Sequence, residues 1–243
     1  MSFFKTLYLA LFILVSTGLT TTAMAQSASA HDHDHDHATP EASEQSARGP
    51  VLEGTYTETQ GDHVLGAETA PITMIIYASV TCPHCASWFN AVWPSLKTNY
   101  VNKNKLRVVF REFPTDPVNI AVIGFQIANC GPKDKYFEMI EHQMKEQDNI
   151  FSSLKAGTGK DTYLKIAKKA GLEDESAMNT CIQSEVGYNR INKSISLARA
   201  GNISSVPNFI INGKTFKGES DYLPLSKHLD DLLLQEFSPM LKP

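Results

Sequence analysis

Two cysteines separated by two residues are the part of this sequence best suited to chemistry. They lie in the segment Cys82-Pro-His-Cys85, and a pair at this spacing can close a small disulfide or open to a dithiol. The same spacing forms one half of many zinc sites, but such a site needs a second close pair of Cys or His. Because Cys130 and Cys181 are isolated from each other in the sequence, we favour a redox pair over a zinc site.

The residues around the pair predict a strand before it and a helix that begins within it. Ile72–Ala78 is a largely continuous apolar run, typical of a buried strand, and the large side chains after Cys85 have helical spacing. Free N–H groups and partial positive charge at the start of a helix favour a thiolate there. We therefore predict that Cys82 is the nucleophile and that Cys85, one turn into the helix, is more buried and resolves the mixed disulfide.

The two residues between the cysteines fit this interpretation. Pro83 suits the start of a helix, because its missing N–H costs nothing in the first turn. His84 can further stabilise the thiolate of Cys82. A pair with a stabilised thiolate favours its reduced form, so we expect it to donate disulfides.

A second candidate segment, Val206-Pro207, lies directly before the predicted strand Asn208–Ile211. A proline without an N–H belongs at the start of a strand. Two interpretations are open: a trans proline that only ends a loop, which is the usual state, or a cis Val206–Pro207 bond. The cis form would leave the Val206 backbone free to pair with an extended substrate.

The remaining pattern predicts an α/β protein. Leu106–Phe113 has strong strand propensity, so strand, helix and strand form a βαβ unit with parallel pairing. Asn212-Gly213 predicts a hairpin to Thr215–Lys217, and Tyr222–Leu234 is an amphipathic helix. The pattern from about Val118 to Ala200 is helical, with four candidate helices at Ile120–Asn129, Tyr136–Glu146, Thr162–Ala170 and Ser176–Ala198.

The N-terminal part of the chain predicts export followed by a tail. Residues 1–25 contain Lys5, an apolar run and Ala23-Met-Ala25, which is typical of a cleavable signal peptide. Residues 26–61 lack any helical or strand period, which predicts a flexible tail. Within the tail, the alternating repeat contains four histidines that are able to bind Zn²⁺, Cu²⁺ or Ni²⁺. These are His31, His33, His35 and His37.

We favour a solvated linker for this repeat, with metal capture as the alternative, because a flexible tract does not fix ligand geometry.

The net charge is only −4 and the chain has no basic block, so nucleic-acid binding is not expected. With no later apolar segment long enough to cross a bilayer, we expect no stable membrane insertion after signal cleavage.

Taken together, these features resemble the DsbA family of thiol–disulfide oxidoreductases. The resemblance rests on Cys82-Pro-His-Cys85 after a strand, a helical insertion, and Val206-Pro207 before a hairpin, all behind a signal peptide. It implies a thioredoxin-like α/β fold with an inserted helical domain. The expected division is a thioredoxin-like domain of residues 62–117 and 201–243, interrupted by helical residues 118–200.

The resemblance also implies a function. We expect a monomeric periplasmic enzyme that donates the Cys82–Cys85 disulfide to reduced or unfolded exported proteins, with Pro207 in the cis form and no cofactor besides the disulfide. A DsbB-type membrane protein, linked to quinone, would reoxidise it. The alternatives are a disulfide reductase or isomerase, and a metal-binding or metal-resistance protein that uses the histidine repeat and the thiols.

Other features bear on the family pattern. Thr81 stands before the motif, where an apolar or aromatic residue is common, and Glu68 and Glu112 are two candidates for the family's buried acid. Some members carry a further disulfide in the helical insertion, which here implies a Cys130–Cys181 bond. We expect that bond to stabilise the fold, and a regulatory role is the alternative.

Overall fold

The computed structural model describes residues 52–237. The predicted signal peptide of residues 1–25 and the histidine repeat of residues 31–37 lie outside this range, so both stay predictions.

A mixed sheet of five strands forms the centre of the described region. The strands are β1 (His63–Leu65), β2 (Ile72–Ala78), β3 (Leu106–Glu112), β4 (Asn208–Ile211) and β5 (Lys214–Thr215). Their spatial order is β1-β3-β2-β4-β5. Strands β2 and β3 pair in parallel, whereas β1, β4 and β5 each pair antiparallel with a neighbour. The predicted parallel βαβ unit is therefore confirmed.

Nine helices surround the sheet in the same region. They are α1 (Pro83–Ala91), α2 (Trp93–Asn99), α3 (Val118–Cys130), α4 (Tyr136–Lys145), α5 (Gln147–Lys155), α6 (Gly159–Lys169), α7 (Glu175–Ile182), α8 (Glu185–Ala200) and α9 (Tyr222–Phe237). Helices α3 to α8 follow one another between β3 and β4, which confirms an α/β fold with a helical insertion. None of the helices in residues 52–237 is both long and apolar enough to cross a bilayer.

The hairpin between β4 and β5 shows why its two turn residues are Asn and Gly. Asn212 has φ 45° and Gly213 has φ 79°, and a two-residue turn with both φ values positive matches the twist of antiparallel strands. The returning strand is Lys214–Thr215, one residue earlier and shorter than the predicted Thr215–Lys217.

Both faces of the sheet are covered, which explains the continuous apolar run in β2. Ile76 and Ala78 face a core that includes α1, while Ile75 and Tyr77 face a second cluster that includes Ala198 of α8. Aromatic rings fill the first core, among them the buried side chains of Trp88, Phe89 and Trp93.

The helical insertion differs from the sequence prediction in two places. The predicted helix Ser176–Ala198 is divided into α7 and α8, because Ser184 has an extended backbone and its side chain caps α8 by accepting from the Gly187 N–H. Helix α5 has no counterpart among the predicted helices.

The end of the predicted tail also differs. Arg111 of β3 is 1% exposed, and its guanidinium donates to the carbonyl oxygens of Thr55 and Thr57 and pairs with Asp62 at 2.9 Å. Residues 52–61, which the sequence assigns to the tail, are therefore held against the sheet by a buried cation.

Candidate active site

The Cys82–Cys85 pair lies where β2 passes into α1. Cys82 is the N-cap residue of α1 and Pro83 is its first residue, so the missing proline N–H removes no helical hydrogen bond. Cys82 is 8% exposed and Cys85 is fully buried, while Pro83 and His84 are exposed. Both thiols are free, so the structure shows the reduced pair.

The start of the helix stabilises a thiolate at Cys82. A hydrogen bond from the Cys85 thiol is the largest cause, and the backbone N–H groups of Cys85 and His84 and the charge of His84 add to it. Together they outweigh burial and lower the pKa of Cys82 to about 5. Cys82 is therefore ionised at neutral pH.

Cys85 has the opposite character. Its hydrogen bond to Cys82 and its burial raise the pKa of Cys85 far above the ordinary range, and the Ser79 N–H, 3.5 Å from the sulfur, opposes this only weakly. The pair is thus a thiolate with an adjacent thiol that donates a hydrogen bond to it.

The Val206–Pro207 segment lies beside this thiolate, although 124 residues separate Val206 from Cys82. The peptide bond is cis, and the Val206 carbonyl oxygen is 3.6 Å from Cys82 Sγ. This contact follows from the antiparallel pairing of β4 with β2, which brings the start of β4 to the end of β2.

Two hydroxyl groups, those of Ser79 and Thr81, fix the loop before Cys82. Ser79 Oγ accepts hydrogen bonds from the N–H groups of Thr81 and Thr115, and the Thr81 hydroxyl donates to the Thr115 carbonyl oxygen at 2.9 Å. This accounts for a polar residue at position 81: Thr81 is 3% exposed but its hydroxyl is hydrogen-bonded. A buried polar group with partners carries little penalty.

Gln147 is a site residue that the sequence reasoning did not find. It is the first residue of α5 and is 6% exposed, and its amide nitrogen donates to the carbonyl oxygens of Val80 and Cys82. No local sequence pattern predicts these contacts, because they join residues more than 60 positions apart.

The two acidic candidates differ in environment. Glu68 is exposed, whereas Glu112 at the end of β3 is 1% exposed. Glu112 Oε1 accepts from Arg190 Nε at 2.8 Å and from the Tyr136 hydroxyl at 3.1 Å. Burial raises the pKa of Glu112, and the Arg190 charge opposes that rise. Glu112 thus links β3 to α8 through a buried ion pair and to α4 through a hydrogen bond.

The other two cysteines form a disulfide. Cys130 is the last residue of α3 and Cys181 lies near the end of α7, with their Cα atoms 5.9 Å apart. The bond joins two helices of the insertion. Within residues 52–237, no group of three or more His, Cys, Asp or Glu side chains is placed to hold a metal ion.

The chain is similar in sequence to known proteins. A family model described as thioredoxin matches residues 58–231. A Rickettsia bellii protein with the provisional name protein-disulfide oxidoreductase is 27% identical over 179 residues, which are 72% of this chain and 67% of that protein. Across five rickettsial relatives, the chain spans 61–67% of the relative's length.

Solved structures show the same fold. The crystal structure of Wolbachia pipientis alpha-DsbA1 matches with a TM-score of 0.66 and 24% identity, over 75% of this chain and 96% of that one. Bacillus subtilis BdbD, in its oxidised form, matches with a TM-score of 0.61 and 18% identity, over 72% and 95% of the two chains. The thioredoxin-like fold with a helical insertion is thereby confirmed.

Proposed function

The chain belongs to the thioredoxin family and has a DsbA-like fold, and from this premise we propose that it is a periplasmic protein-disulfide oxidoreductase. In this proposal it passes the Cys82–Cys85 disulfide to newly exported proteins. The provisional name of the rickettsial relatives supports disulfide chemistry, and the predicted signal peptide supports export.

The observation that carries the proposal is the placement of the two thiols: Cys82 is the N-cap residue of α1, where its surroundings lower its pKa, and Cys85 is fully buried, which raises its pKa. With its pKa at about 5, Cys82 stabilises the dithiol form at pH 7 more than an ordinary thiol with pKa 9.0 would. The upper limit of this effect is about 2.7 kcal/mol, or about 60 mV for two electrons, because solvent screening reduces it. A stabilised dithiol makes the disulfide form an oxidant.

The proposed reaction has two exchange steps. A substrate thiolate attacks Cys82 Sγ, the Cys82–Cys85 bond breaks, and the electron pair leaves on Cys85, which takes up a proton because its pKa is high. A second substrate thiolate then attacks the substrate sulfur of the mixed disulfide and releases the Cys82 thiolate. Two electrons pass from the substrate dithiol to the enzyme pair.

The low pKa of Cys82 favours the second step, because a thiolate with a low pKa is a good leaving group. The Val206 backbone beside Cys82 supports a role in holding the substrate: its position suits pairing with an extended peptide across the mixed disulfide.

The reduced pair must return its electrons to an acceptor. We propose a DsbB-type membrane protein linked to quinone as that partner, in line with the DsbA-like fold. The redox-active pair then serves in place of any dissociable cofactor.

An equilibrium titration of the Cys82–Cys85 couple against glutathione tests the direction of electron flow. The Cys130→Ala/Cys181→Ala variant is the better sample, because only one couple remains to titrate. We expect a potential well above the value of about −270 mV that is typical of thioredoxin. A potential at or below that value would identify a reductase and refute the oxidase proposal.

A further inference from the structure

We propose that Gln147 is a positioning residue for the nucleophile: its side-chain amide, from the helical insertion, holds the backbone of Cys82 in the reactive geometry. The inference concerns the same site and rests on the proposed thiol–disulfide activity.

The contacts of Gln147 are specific to the segment that carries the nucleophile. Its Nε2 atom donates at 2.8 Å to the Val80 carbonyl oxygen and at 3.2 Å to the Cys82 carbonyl oxygen. An amide group has two N–H donors, so both are used on this one segment. The two carbonyl groups flank Thr81, and Gln147 therefore clamps the chain on both sides of it.

The Cys82 carbonyl group also begins helix α1. It accepts from the Ala86 N–H at 3.1 Å, which is the first hydrogen bond of the helix. Gln147 binds the same oxygen, so it sets the orientation of the Cys82 backbone relative to the helix start. The N–H groups of His84 and Cys85 stabilise the thiolate from there, and their effect depends on direction.

Loss of the amide would affect the thiolate in two ways. The Val80 carbonyl oxygen would lose its donor and the Cys82 carbonyl oxygen would keep only the Ala86 N–H, so the segment would have to shift to find water. The less compensated carbonyl dipoles would also place partial negative charge near Cys82. Both effects disfavour the thiolate, so they act in the same direction.

The chain offers a matched control in Gln143 of α4. Gln143 is also buried, with 0% exposure, and its Nε2 donates to two backbone carbonyl oxygens, those of Gly124 and Met139. Its partners are helical residues outside the Cys82 segment. Replacement of either glutamine by Met keeps the length of the side chain and removes two hydrogen bonds.

The test compares Gln147→Met with Gln143→Met in two measurements. Thermal unfolding reports the structural cost, and we expect a lower Tm for both variants. The thiolate absorbance and the alkylation rate of reduced protein report the pKa of Cys82. We expect Gln147→Met to raise that pKa by about one unit, which lowers the alkylation rate at pH 4 about tenfold. Gln143→Met should leave the pKa of Cys82 and the alkylation rate unchanged.

Gln147→Asn is the second variant if Gln147→Met does not fold, since it keeps a neutral amide but shortens the side chain by one methylene, so that its N–H groups no longer reach both carbonyl oxygens. The inference is refuted if the variant loses stability like Gln143→Met but keeps the wild-type Cys82 pKa and glutathione equilibrium. An ordinary Cys82 pKa in the wild-type protein would overturn both this inference and the proposed function. An unchanged low pKa in the variant would overturn only the inference about Gln147.

Discussion

The four cysteines form two pairs whose positions on helices are opposite. Cys82 is the N-cap residue of α1, whereas Cys130 ends α3 and Cys181 lies near the end of α7. The N-terminus of a helix presents N–H groups and positive potential, and the C-terminus presents carbonyl oxygens and negative potential. The helix start thus favours a thiolate at Cys82, whereas Cys130 and Cys181 lie among carbonyl oxygens and are joined in a disulfide.

The two pairs also differ in how much chain they join. Cys82 and Cys85 lie three positions apart, so their bond constrains little of the unfolded chain, while 51 positions separate Cys130 from Cys181. The loss of chain entropy on closing the longer loop stabilises the folded state by roughly 4 kcal/mol. One pair is therefore suited to exchange electrons and the other to cross-link the insertion.

The largest expected effect concerns catalysis. Cys82→Ser removes the sulfur that substrate attacks, so we expect complete loss of disulfide transfer to a reduced, unfolded test protein. Cys130→Ala/Cys181→Ala should retain transfer at a temperature where it is folded. Activity that survives in Cys82→Ser, or is lost in the folded double variant, would mean that the roles of the two pairs are not separate.

For stability, we expect the Cys130–Cys181 pair to matter more than the Cys82–Cys85 pair. Cys130→Ala/Cys181→Ala should reduce the free energy of unfolding by roughly 4 kcal/mol relative to the oxidised wild-type protein, measured by denaturant titration. Cys82→Ala/Cys85→Ala, the matched variant at the other pair, should cost much less when it is compared with the oxidised protein. Equal losses in the two double variants would contradict the assignment of the cross-linking role.

Local sequence signals were sufficient for the elements that carry the reactive pair. The apolar run of β2 and the helical spacing after Cys85 gave the junction at which the thiolate is stabilised. Ser184 is a helix-capping residue type, and that local signal could have located the break between α7 and α8.

The features that the sequence did not predict depend on partners distant in the chain. The amide of Gln147 binds Val80 and Cys82, and Arg111 binds the backbone of residues 52–61. A buried Gln or Arg has no characteristic spacing in the sequence, because its hydrogen-bond partners come close to it only when the chain is folded. The predictable part of the site is therefore its nucleophile, and the unpredictable part is the hydrogen-bond support around it.

The reduced pair should also give the protein a pH-dependent stability that the other pair lacks. Because the folded-state pKa of Cys82 is lowered to about 5 from 9.0, its contribution is complete above about pH 9 and is lost as the pH falls through 5. Screening limits the change between pH 7 and pH 5 to at most about 2 kcal/mol.

The measurement uses the Cys130→Ala/Cys181→Ala background under reducing conditions, so that no disulfide contributes. Its free energy of unfolding is compared, from pH 5 to pH 8, with that of the same protein carrying Cys82→Ala as well. The difference should grow in favour of the protein with Cys82 as the pH rises. A difference that stays constant with pH would show that Cys82 is not ionised in the fold.

The smallest expected effect separates the contributions to the Cys82 pKa itself. The Cys85 thiol is the largest cause of the low value, while the charge of His84 is the least of those that lower it. Cys85→Ala should therefore raise the pKa of Cys82 more than His84→Ala does, and we expect less than about one unit for the latter, or about 1.4 kcal/mol.

Ultraviolet absorbance of the thiolate, followed as a function of pH, gives both values, and Asn90→Ala, at an exposed position of the same helix, is the control for unspecific changes in α1. His84→Ala keeps the backbone N–H at position 84, so the variant removes only the side chain. If His84→Ala raised the pKa more than Cys85→Ala, the imidazole and not the neighbouring thiol would be the main stabiliser. The reactivity of the first pair would then depend mainly on an exposed imidazole and not on the buried thiol that completes the pair.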